Sequence, residues 1–178
     1  IIDGRFNPEG TDNFEIRGVG YHIWNCTIAH SRRHGVRILA SNAMIGEPGT
    51  RTILVGNGST DSTSAAISIE GVAQSGISVR SVWIGLKGNG TVTDPNQTGI
   101  RVLRSSEILV GGSDPLERNL ISGNMGHGIL IDSDSRQVAV VGNYIGLDIT
   151  GRGEAPNGGD GVKIDKGSAV NRIGGSTL

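Results

Sequence analysis

The sequence predicts an all-β fold, a parallel β-helix in which successive coils of one chain stack as a solenoid. Three observations carry that prediction. A four-residue phrase returns about every 30 residues. Each return alternates aliphatic and other residues, the signature of a strand with one buried face. Gly, Asn and Asp separate these segments, with 30 Gly in 178 residues and only 3% aromatics.

The phrase is Gly or Ala, aliphatic, any residue, aliphatic. It reads GVRI at Gly35–Ile38, AISI at Ala66–Ile69, GIRV at Gly99–Val102, GILI at Gly128–Ile131 and GVKI at Gly161–Ile164. Stacking these strands gives an inward aliphatic column and an outward column of Arg37, Ser68, Arg101, Leu130 and Lys163. Two kinds of interval alternate between the phrases. Type A carries a Gly-Asn phrase, as in RTILVGN (Arg51–Asn57) and RNLISGN (Arg118–Asn124). Type B carries Ile-Gly-Leu, opening at Trp83 and at Tyr144, and then a polar loop with Pro-Asn, Lys87–Thr98 and Asp148–Asp160. A third element sits mid-interval in type A: MIG at Met44–Gly46, LVGG at Leu109–Gly112 and RIGG at Arg172–Gly175. The whole reads as one domain of about six coils, with opening coils in residues 1–34 and regular A-B-A-B-A coils in 35–178. The first residue is Ile, and the text stops within a type-A coil, so the chain reads as a segment of a longer protein.

Composition removes several alternatives. Interior Gly costs about 1 kcal/mol against Ala in a helix, which argues against long helices. The Gly residues keep no three-residue period, so collagen is excluded. The supply of Ile and Val argues against disorder. Sixteen basic residues against 17 acidic ones leave a net charge of -1, which gives no footprint for nucleic acid. No apolar run reaches the length of a membrane-inserted helix. A single cysteine, Cys26, forms no internal disulfide.

The phrases RNLISGNMGHGILI (Arg118–Ile131), GNYIGLD (Gly142–Asp148) and PNGGDGVKI (Pro156–Ile164) resemble the repeats of the pectate-lyase-like superfamily. They are most similar to the repeat blocks of large bacterial or archaeal surface and secreted proteins. IIDGRF (Ile1–Phe6) and the stretch Asn13–Ile38 are similar to early coils of the same superfamily. The resemblance implies a right-handed β-helix and a secreted or cell-surface location. That superfamily holds lyases, hydrolases, epimerases and non-enzymatic adhesive proteins, so fold does not choose a function.

Three clusters emerge when the coils are aligned. The first joins Arg101, His127, Asp160 and Lys163. A uronate lyase or epimerase needs a cation for the carboxylate, here Lys163 or Arg101, and a base for the adjacent proton, here His127 oriented by Asp160. The second stacks Asp132 over Asp165, the weak candidate for a metal; Ca²⁺ would need six to eight oxygens, and Lys163 and Lys166 are at hand to neutralise the pair. No cofactor is otherwise expected. The third is Trp83 and Tyr144, with Leu120 between them in one column; aromatic faces two coils apart suit sugar stacking. Tyr21 and Trp24 are expected in the cap or core, and the long loops are expected to flank the Arg101–Lys163 face.

The reading that follows is a non-catalytic extracellular module that presents an elongated face to a polysaccharide or cell-surface glycan, through Trp83, Tyr144, Arg101 and Lys163. The long loops contain no His, Cys or aromatic residue, and no Ser lies in a nucleophile elbow. An enzymatic alternative is a uronate-polysaccharide lyase or epimerase. A structural alternative is self-association, with the RIGGSTL end pairing with the Ile1–Phe6 end of another copy into a filament.

Overall fold

A computed structural model describes residues 1–58, 61–71 and 76–175. Each coil contributes one short strand to each of three sheets. Coil 1 holds β1 (Ile2–Asp3), β2 (Phe14–Ile16) and β3 (His22–Ile23); coil 2 holds β4 (Thr27–Ala29), β5 (Val36–Ile38) and β6 (Met44–Ile45). Coil 3 holds β7 (Thr52–Val55), β8 (Ile67–Glu70) and β9 (Ile77–Val79); coil 4 holds β10 (Val82–Ile84), β11 (Ile100–Leu103) and β12 (Ser106–Gly111). Coil 5 holds β13 (Leu120–Ile121), β14 (Ile129–Asp132) and β15 (Arg136–Val141); coil 6 holds β16 (Tyr144–Ile145), β17 (Val162–Ile164) and β18 (Arg172–Ile173). The first sheet runs β1-β4-β7-β10-β13-β16, the second β2-β5-β8-β11-β14-β17 and the third β3-β6-β9-β12-β15-β18. Every strand pair is parallel. The protein is therefore a parallel β-solenoid of about six coils.

The register explains why the phrase recurs. Val36, Ile67, Ile100, Ile129 and Val162 occupy one rung position, and Ile38, Ile69, Val102, Ile131 and Ile164 another. Phe14 and Ile16 extend both columns into coil 1, where Asn13 replaces the phrase's small first residue. Inward Ile and Val from all three sheets meet in one continuous core. Each such side chain contributes about 2 kcal/mol by leaving water. The small first residue has a steric origin: a Cβ added at Gly128 would lie 2.6 Å from the Gly161 carbonyl of the next coil.

The corners are polar and buried. Between the first and second sheets, Asn57, Asn96, Asn124 and Asn157 form a ladder, each Nδ2 donating to the Oδ1 of the next at 2.8–2.9 Å. The same amides donate to the Ile28, Leu54 and Ile121 carbonyls. Asn119 and Asn143 repeat the device between the third and first sheets. Ser105, Ser135 and Ser168 stack between the second and third. These side chains satisfy backbone groups that a tight turn strips of water.

The ladder gives the A/B alternation its physical meaning. In coils 3 and 5 the chain leaves the first sheet and reaches Asn57 or Asn124 almost at once. In coils 4 and 6 it first makes a hairpin, closed by the bridges Leu86–Thr93 and Leu147–Glu154, and then reaches Asn96 or Asn157. The Gly-Asn and Pro-Asn phrases thus deliver the same rung by a short and a long route.

Candidate functional site

The outward column of the first sheet is Thr27, Ile53, Trp83, Leu120 and Tyr144. Trp83 and Tyr144 lie two coils apart with Leu120 between them, as the alignment of coils required. Ile84 and Ile145, their neighbours, point inward. The hairpins of coils 4 and 6 fold back over this sheet. A Cβ at Gly90 would meet the Trp83 ring, and one at the equivalent Gly151 would meet the Tyr144 ring at 2.6 Å. Leu86, Leu120 and Ala155 are buried as a satellite cluster beneath the two rings. That burial draws the hairpins toward the first sheet, and not to the Arg101–Lys163 face where they were expected.

Beside Leu120 of coil 5, the corner that leads from the third sheet into the first opens as a notch of about 350 Å³. Leu120 forms the floor, with Trp83 on one side and Tyr144 with Ile149 on the other. The Ile149 N–H donates to the Gly90 carbonyl (3.1 Å), tying one hairpin to the other. Each ring also carries an arginine, of which Arg118 lines the notch. The Arg51 guanidinium lies 4.6 Å from the Trp83 ring centre, and that of Arg118 lies 4.2 Å from the Tyr144 ring centre. Arg51 and Arg118 hold equivalent places in the two Arg-led type-A phrases, each two residues before the column. Sequence reading matched those phrases but gave the arginines no role; their stacking depends on the following coil.

The second sheet presents Glu15, Arg37, Ser68, Arg101, Leu130 and Lys163 as one ladder. It thus carries Arg101 and Lys163 on a different sheet from Trp83 and Tyr144. Arg101 donates to the Thr63 carbonyl (3.0 Å). His127 Nδ1 accepts the Asp160 backbone N–H (2.9 Å), with an Asp160 carboxylate oxygen 3.4 Å away. That amide donation puts the neutral ring's proton on Nε2. Asp132 is buried and paired with Lys166 (3.1 Å); Asp165 faces Lys163 (3.6 Å). Both lysines thus stand as countercharges to the stacked carboxylates. Among the described residues no three His, Cys, Asp or Glu side chains converge as metal ligands.

His127 repeats a corner device seen twice more. His34 Nδ1 accepts the Ala65 N–H (3.1 Å), and Asp12 Oδ1 accepts the His34 N–H (3.0 Å). Beside His34 lies a charged network that sequence reading did not single out. Glu70 is buried and accepts two Arg37 bonds, at 2.7 and 3.1 Å, and one from Ser68 at 2.7 Å. Burial alone would raise its pKa, yet the bonds from Arg37 and Ser68 hold the carboxyl below its ordinary range. His34 is pushed down to about 4 by burial, only partly opposed by Glu70.

Tyr21 and Trp24 are not core residues. Ile23 takes the inward place between them, and Trp24 stacks on outward His22 with ring centres 4.4 Å apart. At the ends of the solenoid, β1, β2 and β3 are edge strands on one side and β16, β17 and β18 on the other. The last residues of the RIGGSTL phrase, 176–178, lie outside the described residues. Compared with known proteins, the chain matches no family model, no curated protein and no solved structure.

Proposed function

We propose that this solenoid is a non-catalytic carbohydrate-binding module that seats a polysaccharide or cell-surface glycan in the notch over Leu120. The observation that carries the reading is the placement of Trp83 and Tyr144 in one column, two coils apart, across an apolar floor. Flat rings with wet rims suit the apolar C–H faces of sugars, and rigid aromatic walls lose little entropy on binding. Ile149, which lines the notch from the coil-6 hairpin, is carried on a rigid scaffold, the usual setting for recognition. The resemblance of the repeats to the pectate-lyase-like superfamily, and to secreted or surface proteins within it, supports the same reading. On this reading Arg101 and Lys163 belong to a separate face and make no contact with the ligand in the notch.

The test is glycan-array binding by the wild type and by the W83A/Y144A double variant, with K163A as a control on the other face. Binding that is lost in W83A/Y144A and kept in K163A supports the notch. Binding that W83A/Y144A leaves intact, in a protein that melts at the wild-type temperature, removes it. Incubation with polygalacturonate while following absorbance of an unsaturated product checks the non-catalytic part; product formation overturns it.

A further inference from the structure

We infer that Asn89, in the coil-4 hairpin, is a site of self-modification. The Gly90 backbone nitrogen closes on the Asn89 side-chain amide, and the residue passes through a succinimide to aspartate and isoaspartate. The inference is independent of what the notch binds. The chain holds three Asn-Gly pairs, at 57–58, 89–90 and 157–158, and glycine leaves the attacking nitrogen without a side chain to crowd it. Asn57 and Asn157 are rungs of the corner ladder. Asn57 is 1% exposed, and its Nδ2 donates to the Ile28 carbonyl and to Asn96. Asn157 accepts from Asn124 and donates to the Ile121 carbonyl. The Gly58 and Gly158 N–H groups are bonded to neighbouring coils, through the carbonyls of Ser31 (2.9 Å) and Asn124 (2.8 Å). Reaction at either pair would take apart a contact between coils. Asn89 is exposed, and its Nδ2 has no partner among the described residues. The Gly90 N–H is held within its own turn, by the Lys87 carbonyl (2.7 Å).

The hairpin also prepares the reacting carbonyl. Asn89 Oδ1 accepts the backbone N–H groups of Thr91 (3.2 Å) and Val92 (3.1 Å). These bonds fold the side chain back over the turn, hold Cγ toward the Gly90 nitrogen and polarise the Cγ–Oδ1 bond. Opening of the single turn bond to Lys87 frees the nitrogen, a local event in an exposed hairpin. Hydroxide takes the Gly90 N–H proton, and the nitrogen adds to Cγ. The negative charge arrives on Oδ1, where two donors already point. The Cγ–Nδ2 bond then breaks, and ammonia leaves with a proton drawn from water, which restores the hydroxide. Water opens the succinimide at one carbonyl to give aspartate and at the other to give isoaspartate; the balance is water in and ammonia out, with no oxidation. The coil-6 hairpin carries Thr150 at the equivalent place and has no amide to react there. Isoaspartate adds a carbon to the main chain next to Gly90, whose carbonyl accepts the Ile149 N–H, so the change loosens the tie between the two hairpins.

The experiment is prolonged incubation of the intact folded chain, and of the same chain unfolded in urea, at neutral and at alkaline pH. Peptide mapping by mass spectrometry then separates Asn, Asp and isoaspartate at each of the three pairs. In the folded chain Asn89 should convert at least about tenfold faster than Asn57 and Asn157, and faster still at alkaline pH. Unfolding should speed Asn57 and Asn157 but leave Asn89 unchanged or slower, because the two donors to its Oδ1 are lost. V92P removes one of those donors and keeps the Val92 carbonyl that accepts from Lys87 (2.8 Å). It should slow Asn89 about threefold or more in a protein that melts at the wild-type temperature. Conversion of Asn89 no faster than that of Asn57 and Asn157 in the folded chain, or faster once the chain is unfolded, overturns the proposal. Unchanged or faster conversion in folded V92P overturns the part assigned to the two donors; should V92P not fold, the comparison of folded and unfolded wild type decides alone.

Discussion

The fully buried imidazole of His34 should make the stability of this solenoid depend on pH in a window that can be isolated. The folded chain holds His34 neutral, with a pKa of about 4 against an ordinary 6.5. The unfolded chain takes up the proton at about the ordinary value. A depressed histidine pKa therefore contributes stability that is complete above pH 6.5 and is lost as pH falls toward 4. The gap sets a ceiling of about 3 kcal/mol, of which about 2 kcal/mol disappears between pH 7.5 and pH 5. Glu70 stays ionised across that interval, because its own pKa is lowered. The perturbation is H34N. Asparagine offers an oxygen acceptor for the Ala65 N–H, much as Asp12 accepts from His34 one coil earlier, but it does not titrate. Urea unfolding at pH 7.5 and pH 5 should show wild type losing about 2 kcal/mol more than H34N. If the two proteins lose the same amount, the burial of His34 is not the source and the reasoning fails.

Other expectations concern the same scaffold. R37A leaves buried Glu70 without its two charged bonds and should cost about 3 kcal/mol in denaturant unfolding, whereas R37M/E70Q should recover a good part of it. N96A removes a rung that satisfies the Leu54 carbonyl and the Asn57 N–H, both buried; a loss of about 3 kcal/mol is expected, and a loss under about 1 would show that water replaces the rung. At Gly85, φ is +90° and an added Cβ would strike the Ser122 carbonyl, while at Gly20, φ is +79° with nothing nearby. G85A should therefore lower stability by about 3 kcal/mol and G20A by about 1, as read from thermal melts; equal effects would mean that close coil contact is not what requires glycine at position 85.

Much of this was legible in the sequence because the relevant forces are local or periodic. Alternation in GVRI, AISI, GIRV, GILI and GVKI marks strands with one buried face, and a fixed step between them makes vertical neighbours of distant residues. The columns Arg101–Leu130–Lys163 and Trp83–Leu120–Tyr144 follow from that step alone. The tertiary structure decided what the step cannot encode. Residues one strand apart along the chain can face different directions around a three-sided coil, so Trp83 and Arg101 stand on separate sheets. The side toward which the hairpins fold depends on burying Leu86 and Ala155 against Leu120, a contact between coils. The stacking of Arg51 and Arg118 on rings of the next coil, and the sinking of His34 and Glu70 out of water, likewise arise only when coils meet. Sequence periodicity fixes height along the axis; packing between coils fixes which face a side chain joins and what it touches there.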